Sequence, residues 1–107
     1  MATKASHQLL SPNYPDSYPP NSDCTWIIER PKDSKYTTLY LMFMDFSLEE
    51  YGCPDYVLVY KDEETEPKRL CGEHGWITFT ASNSIRIVFK SNGRHQEKGF
   101  NGMYYLR

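Results

Sequence analysis

Three carboxylates, Glu49, Glu50 and Asp55, crowd around Gly52, Cys53 and Pro54 in one short stretch. Carboxylates fixed this close together suit either a cation site or a docking surface for a basic partner. Opposite charge that is held in place and partly desolvated attracts strongly. No other segment concentrates chemistry in this way. The three histidines, His7, His74 and His95, stand without a Gly-x-Ser-x-Gly, HExxH or P-loop signature. His74 and His95 lie in polar, loop-like surroundings and read as surface residues, so the chain is not expected to be an enzyme. The acidic run from Lys61 to Arg69 lacks the DxDxDG pattern and distal Glu of a calcium-binding helical loop, and reads as a solvated hairpin tip.

The elements that must position the carboxylates lie on either side of them. Leu39 to Phe46 is a hydrophobic, aromatic-rich run, and Tyr56 to Tyr60 has strong strand propensity. In the first run Leu39, Leu41 and Phe43 fall on one side, with Tyr40, Met42 and Met44 on the other. Both sides are apolar, which predicts a central strand covered on both faces. Thr37, Thr38 and the aromatics disfavour a helix there. Further strands are expected over Cys24–Arg30, with Trp26 and Ile28 on one face, over Trp76–Thr80, over Ser84–Lys90 and over Phe100–Leu106. Leu9 and Leu10 begin or pair with a first strand. Ser11 to Ser22 holds four prolines and reads as an extended loop, which Tyr14 and Tyr18 give something to pack with. Turn signals recur every eight to twelve residues or so, the spacing of a β-sandwich.

Composition agrees. A chain of 107 residues is one domain, and an aromatic content of 15% with seven Pro and six Gly suits short strands and tight turns. A net charge of −2 argues against a nucleic-acid surface. No apolar run is long enough to insert in a membrane. Met1 to Lys4 are polar and lead into no apolar stretch of the kind a secretory leader needs, so they are expected to stand in place of a natural upstream segment. The cysteines, Cys24, Cys53 and Cys71, form no CxxC pair. A bridge between Cys53 and Cys71 would close a modest loop and contribute about 3 kcal/mol on the chain-entropy model. One cysteine would then be left over, and three free thiols in a reducing compartment are the alternative.

Several pieces stand in a fixed order: SPNYP…YPPNSDCTW, FxxFSLE, CPDYVLVY, LCG and IRIVFKSNG…KGFNGMYY. In that combination, over nearly the whole chain, the sequence resembles a CUB domain. The resemblance implies an antiparallel β-sandwich with jellyroll-like topology, all-β, filling residues 1–107 and cut short at its N-terminus. It implies a secreted protein or an ectodomain, and a bridge between Cys53 and Cys71. The family's usual partner of Cys24 would fall at or before residue 1, which leaves Cys24 without it.

Many CUB domains hold calcium through a glutamate, two aspartates and a tyrosine that orients the glutamate. By motif, Glu49 matches the glutamate, Asp55 the first aspartate and Tyr18 the tyrosine. The second aspartate is replaced by Asn92, and Arg94 stands two residues on, where a serine is common. The spacing from Cys53 to Asp55 is one residue shorter than the usual pattern. Calcium takes about six to eight oxygens and binds more tightly as carboxylates are added. Asn92 and Arg94 therefore predict a weak calcium site or none, with Glu49, Asp55 and Asn92 bonding the loops together instead. In calcium-binding members such loops capture a lysine or arginine of a protein partner, which makes Tyr18, Glu49 and Asp55 the partner-binding candidates. The function expected is an extracellular protein–protein interaction module of a larger protein. The alternative is a lectin-like CUB protein that binds carbohydrate or glycosaminoglycan. Against it, the basic residues (Lys32, Lys35, Lys68, Arg69, Arg94, Lys98) are spread out. No N-glycosylation sequon is present.

Overall fold

Alternating apolar side chains decide how the strands stack. In a computed structural model, which describes residues 7–48, 54–92 and 97–107, the described residues form strands and no helix. They are β1 (His7–Leu10), β2 (Asp23–Glu29), β3 (Leu39–Ser47), β4 (Tyr56–Lys61), β5 (Lys68–Leu70), β6 (Glu73–His74), β7 (Ile77–Ala81), β8 (Ser84–Lys90) and β9 (Gly99–Leu106). One sheet runs β1-β9-β3, with β6 and β7 both pairing β3 along its other side. The second runs β2-β8-β4-β5. Every pairing is antiparallel, and the result is the expected all-β sandwich.

The inner faces meet in an aromatic core. Leu39, Leu41 and Phe43 of β3, Val57 of β4, Ile85, Ile87 and Phe89 of β8 and Phe100 of β9 are fully buried. The Phe100 ring stands edge-on to Phe43 at 5.5 Å, Phe89 at 5.4 Å and Trp26 at 5.7 Å, so it ties the two sheets together. Such pairs add roughly 0.5–1.5 kcal/mol each beyond the area they bury.

β3 is central, as its composition predicts, but it is not covered on both faces. Tyr40, Met42 and Met44 on its outer side are half-buried. Cross-strand neighbours rather than a second layer shelter them: Tyr40 stacks on Tyr105 at 5.3 Å and Met42 lies opposite Met103. The strand begins at Leu39. Thr37 and Thr38 donate their amides to the Arg107 carbonyl, at 3.2 and 3.0 Å, and close the end of the domain as a loop.

Candidate functional site

At one end of the sandwich the loops after β1, before β4 and after β8 converge. Asp55, immediately before β4, sits at their meeting point and is 0% exposed. One of its carboxylate oxygens accepts the Tyr18 hydroxyl at 2.5 Å, and the other accepts the Asn92 amide at 2.7 Å. A buried carboxylate needs such donors, because leaving it without them would cost several kcal/mol.

Tyr18 reaches Asp55 because the proline-rich loop is ordered. Its ring is buried against Phe89, edge-on at 5.0 Å, and its amide donates to the Glu97 carbonyl at 3.1 Å. The loops are laced further along by a serine pair. Ser91 accepts the Ser22 amide on its Oγ at 2.8 Å and donates to the Pro19 carbonyl at 3.0 Å, while Asn21 donates its amide to the Asn92 carbonyl at 2.9 Å. Gly99 lets β9 start close by. Its φ is +90°, and a Cβ there would stand 1.9 Å from the Ser11 Oγ, which accepts the Phe100 amide at 3.0 Å.

Of the residues singled out in the sequence, Tyr18, Asp55 and Asn92 are thus brought together. Glu49, Cys53 and Arg94 lie outside the described residues. The detail differs from the family pattern, since Tyr18 bonds Asp55 and Asn92 bonds it through its backbone N–H. Cys71 is disulfide-bonded, Cys24 is a half-buried free thiol, and Cys53, the expected partner of Cys71, falls among the undescribed residues. Tyr18 and Asp55 were also expected to meet a partner. At 1% and 0% exposure they present no surface to one, because their polar atoms are spent on each other and on the loop backbone. The described residues fit a strong calcium shell poorly. Both Asp55 oxygens already hold donors, the Asn92 group aimed at Asp55 is a donor, and no cluster of three His, Cys, Asp or Glu side chains occurs among them.

A second polar group lies nearby and carried no sequence signal. Tyr14 donates its hydroxyl to Asp45 at 2.5 Å, and Lys98 pairs with the same oxygen at 3.0 Å. The Tyr14 hydroxyl bond holds the Asp45 pKa below the ordinary value, against the opposing effect of burial and with help from Lys98. The same bond raises the Tyr14 pKa. A register shift between Phe43 and Asp45 breaks the strand alternation here, and that bulge is what composition does not reveal. Beside it lies a cleft of about 420 Å³ lined by residues that include Asp45, Glu73, His74 and Lys98. His74 is exposed and its Nε2 is bonded to the Cys71 carbonyl at 2.8 Å.

The profile of CUB domains matches residues 1–104. The chain belongs to the CUB family. This CUB domain is 36% identical over 103 residues to human cubilin and 32% identical over 105 residues to adhesion G-protein coupled receptor G6 of Danio rerio. It covers 92% and 95% of its own length in those matches but spans only 3% and 8% of theirs. The full extracellular region of the zebrafish receptor contains a domain that superposes with a TM-score of 0.84, at 32% identity, covering 98% of this chain and 14% of that one. The MASP-1 CUB2 domain, solved bound to Ca2+, superposes with a TM-score of 0.78 at 26% identity, with 97% and 95% of the two chains covered. CUB domains are non-catalytic modules of larger extracellular proteins and ectodomains, and no described helix here is long and apolar enough to cross a membrane.

Proposed function

We propose that this CUB domain is an extracellular protein-interaction module of a larger secreted protein or receptor, and that it captures a lysine or arginine of its partner at the Asp55 end of the sandwich. The observation that carries this reading is that the described residues on either side of 49–53 are held in place. On one side Leu48 donates its amide to the Gly72 carbonyl at 2.9 Å, and on the other Asp55 is locked by Tyr18 and Asn92. Glu49 is then the carboxylate that meets the partner, while Asp55 and Tyr18 fix the described chain that follows it. The same reading pairs Cys71 with Cys53, a third fastening for this stretch.

Calcium belongs to the proposal as a weak ligand of Glu49, Asp55 and the Asn92 side chain. That the MASP-1 CUB2 relative was solved bound to Ca2+ supports a role for the ion, and the missing carboxylate at Asn92 supports the low affinity. A short oligolysine peptide, titrated at rising salt, tests the capture. Binding is expected to weaken with salt and to fall about tenfold in Glu49→Gln, as for loss of one charged pair. It should be unchanged in Asp62→Asn at the far end. Equal binding by Glu49→Gln, or tighter and salt-sensitive binding to heparin in place of oligolysine, would overturn the reading.

A further inference from the structure

The sandwich has open strand edges, and they differ in how they are protected. β2 begins and ends in a carboxylate, Asp23 and Glu29, and β5 is three residues long with two cations, Lys68 and Arg69. Short strands and charges of this kind blunt an edge against pairing with another chain. β7, Ile77-Thr-Phe-Thr-Ala81, has neither device. It contains no charge, proline or glycine, and it pairs only β3, so among the described residues nothing bonds its outer edge. Thr78 and Thr80 are exposed, and Trp76, just before the strand, is 72% exposed.

The order of residues in β7 reads almost the same in both directions about Phe79. We infer that β7 is a self-association edge, which pairs antiparallel with β7 of a second copy about a two-fold axis through Phe79. In that register Thr78 lies opposite Thr80 of the other copy, twice, on the solvent face. Phe79 meets Phe79 and Ile77 meets Ala81 on the inner face. Isologous pairing requires such self-complementarity, and Thr–Thr and apolar cross-strand pairs favour it. Antiparallel pairing also sets unlike ends together. Trp76 of each copy falls beside Ser82 of the other, whose carbonyl holds the Arg30 guanidinium at 2.8 Å. The exposed indole thereby comes within reach of a cation. Residues 77–81 pair on one side only, so the contact is small and belongs to the weak, transient class below about 1,200 Å². It joins the two β3-containing sheets into one.

Two variants at the same solvent-facing positions separate this pairing from any folding effect. Thr78→Lys/Thr80→Lys puts like charges opposite each other at both cross-strand pairs. Thr78→Lys/Thr80→Glu puts opposite charges there. Sedimentation equilibrium in a Cys24→Ser background, where that thiol cannot link copies, should show a reversible dimer of the otherwise unsubstituted chain. The Lys/Lys variant should associate about tenfold more weakly, and the Lys/Glu variant at least as well as the parent. Amide NMR signals of residues 76–82 in the parent should shift with concentration. A parent that stays monomeric to about 1 mM, a dimer indifferent to both variants, or equal weakening by both would overturn the inference. So would concentration-dependent shifts confined to other strands.

Discussion

β4 is bracketed by two aspartates, Asp55 just before it and Asp62 just after it, and they anchor opposite ends of the sandwich by different means. Asp62 collects backbone amides alone. Its oxygens accept the amides of Asn83 at 2.6 Å, Ser82 at 3.1 Å and Ser84 at 3.2 Å, and its own amide returns a bond to the Ser84 carbonyl at 2.7 Å. It adopts a positive φ of 54°, which aspartate tolerates. Asp55 is more deeply buried, yet it takes one amide and one side-chain hydroxyl. An end fastened by three backbone donors makes a turn rigid. An end fastened partly through the side chain of Tyr18 ties three separate loops together and depends on residue identity in each. The proposed recognition role falls at the Asp55 end, where the identity of residues in three loops matters, and not at the Asp62 end.

The comparison predicts unequal losses. Asp55→Ala should be the most damaging, lowering stability by roughly 3–5 kcal/mol in urea denaturation, because it removes two hydrogen bonds to a charged group and leaves a cavity at a fully buried position. Tyr18→Phe should cost about 2 kcal/mol, the scale of one hydrogen bond to a charged group. Asp62→Ala should cost about 1 kcal/mol, since water can replace its bonds at a half-exposed site. Equal losses at Asp55 and Asp62 would erase the distinction between the two ends.

Acid should sharpen the contrast. Burial alone would raise the Asp62 pKa, but the Asn83, Ser82 and Ser84 amides outweigh it and hold it below the ordinary value. A carboxyl lowered in the folded state stabilises above its unfolded pKa, and that contribution is lost as pH falls through the folded one. Asp62→Asn should therefore flatten the acid limb of stability against pH. The smallest effect is expected at Tyr14. Tyr14→Phe should let the Asp45 pKa rise toward its ordinary value in an NMR titration, with the fold intact.

Much of this was legible in the residues. The alternation of Ile85, Ile87 and Phe89 and the motifs around Cys24, Cys53 and Cys71 point to the sandwich and the family. Tyr18, Asp55 and Asn92 were legible as a group from the family motifs. The bonds within the group were not, since motif matching assigns positions and not donors. Asp62 was hidden because its partners lie some twenty residues away and its neighbours suggested a solvated tip. Asp45 was hidden by a bulge inside an apolar run. In both cases a long-range contact, not local composition, decides the role.

The Asp55 end is closed by hydrogen bonds, and the proposal that it takes calcium only weakly is tested most directly by a calcium titration of thermal stability. In the unsubstituted chain about 1 mM calcium should raise Tm by only a degree or two, whereas Asn92→Asp, which supplies the third carboxylate, should respond several-fold more strongly. Saturation of the unsubstituted chain at micromolar calcium, or an Asn92→Asp response no larger than its parent's, would contradict it.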